Sequence, residues 1–284
     1  MDQHPVPRPE LTVERRHVAP AQIALPGSAQ HLGAYASSTV VVDPDGPLYD
    51  EVAQALALGA AARVERQQAW NALTFDDATP YSARVFLARQ GVNCTGDWAA
   101  AVGDALNPDA GDIDLVLGFR AEMMRSGETV TVGLWRDAMH RWLAEDGQTP
   151  EAHDAVDRII GAVADIDEAI TETGLLAPGI KVRDIVGHRI SWAVTVARWG
   201  AYSGYGDYAA VRQTLLAARD VAAGHFVDWN EFAASVVAGA ALNDDDPRAG
   251  FDAALPHVAT LLTAPDSPWR NLEFPTGTDF ALRP

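Results

Sequence analysis

Apolar residues recur at helical spacing from residue 47 onward and show almost no periodicity before it. Asp45 and Pro47 are placed to open a helix running through Val52, Leu56 and Arg63 towards Trp70, because aspartate caps a helix and proline suits its first turn. Thr95 is placed to cap a helix carrying Trp98, Val102 and Leu106. Asp112 can start another, in which Leu115, Leu117, Phe119 and Met123 fall on most sides, a pattern that predicts central burial. Residues 133–144 bring Leu134, Trp135, Met139, Trp142 and Leu143 onto one arc. Thr149-Pro150-Glu151 opens a long helix that buries Val156, Ile159, Val163, Ile166 and Ile170 and stops at Gly174. Further helices are predicted over about 183–199, 207–222, 229–242 and 247–262, with irregular chain from Pro265. The expected fold is all-α: one multi-helix orthogonal bundle over residues 47–284.

Residues 1–46 read differently. Prolines stand at 5, 7, 9, 20, 26 and 44, and only Thr39–Val42 is strand-like, which predicts an extended or disordered arm with room for one short strand. The arm has no apolar core of a signal peptide, and no window has the length of a membrane span. A cytoplasmic location in a bacterium is therefore expected.

Composition narrows the partners. The net charge is -18 and no Lys/Arg-rich run occurs. Phosphate backbones and anionic lipid surfaces need a basic stripe, so neither nucleic acid nor membrane is an expected partner. The single cysteine, Cys94, excludes an intrachain disulfide and a multi-cysteine metal site, and its expected role is burial as a small apolar residue.

Candidate chemistry centres on 183–242. On a helical wheel, Ile185, Trp192, Ala193, Val196 and Trp199 form an apolar arc, with Ser191, Thr195 and Arg198 opposite and Arg189 near the middle of the arc. A guanidinium among apolar neighbours must meet a carboxylate, carbonyls or a wet cavity. Arg189 therefore either pairs two helices internally or holds an anionic ligand. Asp228 and Glu231 have the spacing of a capping box, with Glu231 reaching back to the Asp228 amide. Beyond them, Phe232, Val236 and Ala240 form a core stripe, and Ser235 with Gly239 allows close helix approach. His153 and Asp157 stand one turn apart, which metal ligation could use, but they share a polar face with Asp154, Asp165, Glu168 and Glu172 that solvation explains. Asp76-Asp77 and Asn243–Asp246 lack the further acidic or hydroxyl ligands of a magnesium–diphosphate site. Phosphate loops, dinucleotide fingerprints, serine elbows and zinc-protease motifs are absent from the sequence, so no cofactor and no metal are expected.

Ala197-Arg198-Trp199-Gly200, the Gly204-Tyr205 turn, Asp228-Trp229-Asn230-Glu231-Phe232 leading to Gly239, and the closing Ala264-Pro265-Asp266-Ser267-Pro268-Trp269-Arg270 occur in that order. In this order they resemble the bacterial domain-of-unknown-function 1266 family, and the likeness spans roughly residues 48–274. The resemblance implies a helical fold and brings no activity with it. One departure concerns the family's Trp-Asp pair and Arg ahead of the Ala-Arg-Trp-Gly element; this chain has His188-Arg189 and Trp192 there, so no shared site follows.

These signals predict a non-catalytic helical module that binds a protein partner or a small anionic ligand. Arg189, Arg198, Asp228 and Glu231 are its candidate binding residues, and Trp192, Trp199, Trp229 and Trp269 are expected in or near one C-terminal core. The alternative is an enzyme in which Arg189 or Arg198 holds an anion while Glu231 or Asp228 acts as acid or base. Magnesium-dependent diphosphate chemistry is a further variant.

Overall fold

A computed structural model describes residues 29–75, 78–107, 111–127 and 129–276. The described residues form thirteen helices and no strand. In order these are α1 (Ala29–Leu32), α2 (Glu51–Leu58), α3 (Ala60–Glu65), α4 (Pro80–Arg89), α5 (Thr95–Leu106), α6 (Asp112–Arg125) and α7 (Val132–Glu145). They continue with α8 (Pro150–Thr173), α9 (Val186–Ser203), α10 (Tyr208–His225), α11 (Trp229–Leu242), α12 (Pro247–Thr263) and α13 (Pro268–Asn271). The all-α expectation holds.

The arm is more ordered near its end than its prolines predict. Residues 1–28 lie outside the described residues, but Ala29–Leu32 is helical and packs on α12. The strand-like Thr39–Val42 makes only one parallel bridge, Val41 to Ala69. The first long helix also starts later than expected. Asp50, not Asp45, accepts the amide of Ala53 at 2.8 Å, and the run breaks at Gly59 into α2 and α3. Cys94 replaces Thr95 as the cap of α5, its Sγ accepting the Asp97 amide at 3.4 Å, and it is exposed rather than buried. The α8 boundaries follow the sequence, with Gly174 in the left-handed region at φ 73°.

Burial reorders two helices. α6 is peripheral instead of central: Val116 and Leu117 are buried, but Leu115 is 46% exposed. On α7 only Trp135, Met139 and Leu143, spaced by four, face the core, while Leu134 and Trp142 look outward. The centre belongs to α9 and α11. α9 is flanked by α4, α5, α10 and α11, and α11 is buried on nearly all sides between α9 and α12. That explains the run of small residues Ala233, Ala234, Ser235, Ala238 and Gly239: a helix enclosed on every side leaves little room for side chains.

Two aromatic nests fill this core. Trp199 stacks on Phe75 at 3.9 Å and on Phe86 at 4.6 Å. Trp229 stacks on Trp269 at 5.3 Å, with Phe232 and Phe274 edge-on. The four tryptophans of the expected C-terminal core are thus divided. Trp199, Trp229 and Trp269 are buried, whereas Trp192 is half-buried beside Phe86.

Candidate functional site

The linker between α8 and α9, residues 174–185, carries the chain across the ends of α6 and α11 and leaves a space beneath it. Leu117 and Ala121 of α6, Leu176 and Val182 of the linker, Phe226 at the end of α10 and Ala234 of α11 line this largely apolar cavity of about 380 Å³. That size lies within the range of small-molecule pockets, about 300–1,000 Å³.

Charged side chains border it. Arg120 donates to Asp167 at 2.6 Å, and both are buried, at 6% and 3% side-chain exposure. Asp167 also accepts the Val182 amide at 3.0 Å, and Arg120 donates to the Val182 carbonyl. One buried ion pair therefore clamps α6 and α8 to the linker. Lys181, 43% exposed, lies 3.8 Å from the same Asp167, so two cations share one carboxylate. At the other end, Asp184 accepts from the Val186 amide and from Ser235 Oγ, both at 3.1 Å. Ser235 Oγ in turn accepts the Gly187 amide at 2.8 Å. Burial alone would push the Asp184 carboxyl up, but its hydrogen bond to His225 and the charges of Arg183 and His225 hold it below the ordinary value. Arg120, Arg125, Lys181 and Arg183 line the cavity with Asp184 and Glu231, and Asp167 and Glu122 stand against Arg120 and Arg125.

The four candidate binding residues do not converge. Arg189 holds Asp114 of α6 through both Nη atoms, at 2.8 and 3.0 Å, on the wall of a separate open groove with His188 and Trp192. Both alternatives for Arg189 thus have a physical counterpart, an ion pair between helices and an adjoining polar space. Arg198 does not face outward as the wheel placed it. It is 1% exposed and donates to the carbonyls of Leu56 and Trp70 at 2.8 and 2.6 Å. Burial, and then the charge of Arg63, hold it well below the usual guanidinium value. Asp228 caps α11, accepting the amides of Asn230 and Glu231, each at 2.9 Å. Glu231 reaches back to the Val227 amide at 3.3 Å rather than to that of Asp228. Of the four, Glu231 alone lines the 380 Å³ cavity.

His153 and Asp157 are also drawn apart in role. Asp157 forms an ion pair with Arg136 and accepts from His140 Nε2, both at 3.0 Å, while His153 packs edge-on against the His140 ring. No group of three potential metal ligands occurs among the described residues. Asp76 and Asp77 lie outside the described residues. In the other acidic run, Asp246 caps α12 through the amides of Arg248 and Ala249.

Arg120, Asp167 and Lys181 were not singled out by pattern. Two signals were nevertheless present: an aspartate on the apolar stripe of α8, between Ile166 and Ile170, and the only lysine in the chain at 181.

Fold and cavity together define a helical bundle with a ligand-sized space beside the α8–α9 linker. The chain belongs to the family described as protein of unknown function DUF1266, whose model matches residues 119–274. Apart from Leu117, every residue lining the 380 Å³ cavity falls inside that stretch. No curated protein and no solved structure matches the chain.

Proposed function

We propose that the chain is a ligand-binding module whose cavity takes a small molecule with an apolar body and an anionic head. The carrying observation is a largely apolar cavity with the partly exposed Lys181 at its border, in a chain of net charge -18. Apolar walls stabilise the ligand body by about 25 cal/mol per Å² removed from water. The shared Asp167 leaves the Arg120–Lys181 pair with one positive charge in excess, which favours a carboxylate over a neutral head. A bacterial, cytoplasmic setting belongs to the same proposal.

Isothermal titration of octanoate and of octanol into the wild type and Ala121→Trp tests it. Ala121 lines the cavity from a half-buried position on α6, so a large ring there fills the space with little harm to the core. Saturable octanoate binding, weaker octanol binding and loss of both in Ala121→Trp are expected. Absence of saturable binding to the wild type, or an unchanged affinity in a folded Ala121→Trp, would overturn the proposal.

A further inference from the structure

A second cavity, of about 490 Å³, lies on the other side of Arg120 and Lys181, between α6, the start of α7 and α8. Its chemistry differs from that of the first. Trp135, 1% exposed, lines it, and the buried Nε1–H of that indole has no hydrogen-bond acceptor among the described residues. A buried donor left without an acceptor is destabilising. An acceptor that reached Nε1 from the cavity would remove that cost.

Three further features favour a negatively charged acceptor. Thr131 and Val132, at the N-terminus of the fourteen-residue α7, line the same space. The amides of the first helical turn have no intrahelical acceptor, and the helix dipole is positive there. Thr131 Oγ1 takes only the Leu134 amide, at 3.2 Å. Lys181 and Arg120 supply two cations, while Asp167, the carboxylate on this wall, is already shared between them and the Val182 amide. Arg120 also lies over the Trp135 ring at 4.8 Å, which polarises the indole as a donor. Trp135, Lys181, Arg120 and the start of α7 thus border one space.

We propose that this second cavity binds a phosphate-class oxyanion, with Trp135 Nε1–H and Lys181 Nζ as its principal donors and the α7 N-terminus behind them. The site is a different cavity from that of the apolar-bodied ligand proposed above, and Lys181 and Arg120 border both.

The test uses inorganic phosphate as the probe, titrated into the full-length, ¹⁵N-labelled protein against sodium chloride at matched ionic strength. Eight tryptophans give eight indole N–H resonances, and the one missing from Trp135→Phe identifies Trp135. Phosphate, and not chloride, should move that resonance saturably. Trp135→Phe and Lys181→Gln should each weaken phosphate binding about tenfold or more, the worth of a hydrogen bond to a charged acceptor. Tighter binding of phenyl phosphate would assign the site to a phosphomonoester, and tighter binding of inorganic phosphate to the free ion. A Trp135 resonance that responds alike to both salts overturns the proposal, as does wild-type affinity in both variants. Lys181→Gln, at a partly exposed position, keeps the test valid if Trp135→Phe folds poorly. Ala121→Trp should lose octanoate while keeping phosphate, so failure of one proposal is distinguishable from failure of the other.

Discussion

The rings of Trp229 and Trp269 lie face to face, 5.3 Å between centroids and 12° from parallel, although forty residues separate them in the chain. Each indole N–H is also bonded: Trp229 to the Leu272 carbonyl at 2.9 Å, Trp269 to the Ala57 carbonyl at 2.8 Å. Through these two bonds the stack joins the start of α11 to the chain after α13 and to the last turn of α2. A pair of donors satisfied on opposite sides fixes ring orientation as well as burial.

Trp269→Ala should therefore destabilise the protein by about 3–5 kcal/mol in urea unfolding, combining a large cavity with a freed Ala57 carbonyl. Trp269→Phe should cost less, since most of the apolar surface remains. Trp199→Ala, at the other aromatic nest, should cost a similar amount, because it removes the stacking partner of both Phe75 and Phe86. Unchanged melting temperatures in these variants would refute the packing described.

Arg120 and Asp167 offer a second test. Both are almost wholly buried, and removing one partner of such a pair leaves a charge in a poorly solvating environment. Arg120→Met alone should cost about 3–5 kcal/mol. The double variant Arg120→Met/Asp167→Leu should cost clearly less than the sum of the single changes, with a coupling of about 0.5–3 kcal/mol. A strictly additive cycle would mean that the pair contributes nothing as a pair.

How far the sequence reaches is visible in individual residues. Helix boundaries with strong local chemistry, such as Pro150 and Gly174 for α8 or Asp228 for α11, were legible because caps act over three or four residues. Asp228 and Glu231 as a local capping pair were legible for the same reason, apart from which amide Glu231 meets. A helical wheel reports one-sided burial, whereas α9 packs against α4, α5, α10 and α11, so Arg198 on its polar arc is also inside. α6 was misread in the opposite sense: its apolar residues exceed what its peripheral place can bury. The cavity walls were not legible at all, since Leu117, Leu176, Phe226 and Ala234 lie on separate elements and meet only through tertiary packing. Arg120 and Asp167 are 47 residues apart, beyond any local pattern.

His188 gives a pH test. Burial, and then the neighbouring Arg189 charge, lower its pKa from the ordinary imidazole value, so the folded state binds this proton more weakly than the unfolded chain. The stability it provides is complete above the ordinary imidazole value of about 6.5 and is lost as pH falls through the lower folded value. Urea unfolding of the wild type should show stability decreasing as pH is lowered from 7, and His188→Asn should flatten that part of the profile. Asp184, also depressed, acts in the same direction lower on the scale, and its contribution is lost as pH falls through its own reduced pKa. A His188→Asn profile parallel to wild type between pH 7 and 5 would exclude His188 as the source.

Gly200 and Gly239 mark where helices approach most closely, and both belong to the segments that carry the family likeness. A Cβ on Gly200 would stand 2.0 Å from Nε1 of Trp98, whose indole bonds the Val196 carbonyl at 3.0 Å. A Cβ on Gly239 would stand 2.2 Å from the Cβ of His188. Neither neighbour can yield cheaply: Trp98 is a buried ring held by its hydrogen bond, and the His188 atom is fixed to the backbone of α9. Alanine favours helix by up to about 1 kcal/mol over glycine, whereas overpacking a tight core costs about 1–3 kcal/mol or more, so the clash wins. Gly200→Ala and Gly239→Ala should each lower stability despite improved helix propensity, while Gly224→Ala, with open space around its added carbon near the end of α10, should be neutral or stabilising. Thermal unfolding of the three variants side by side checks the order, and a stabilised Gly239→Ala would show that α9 and α11 are not in the close contact described.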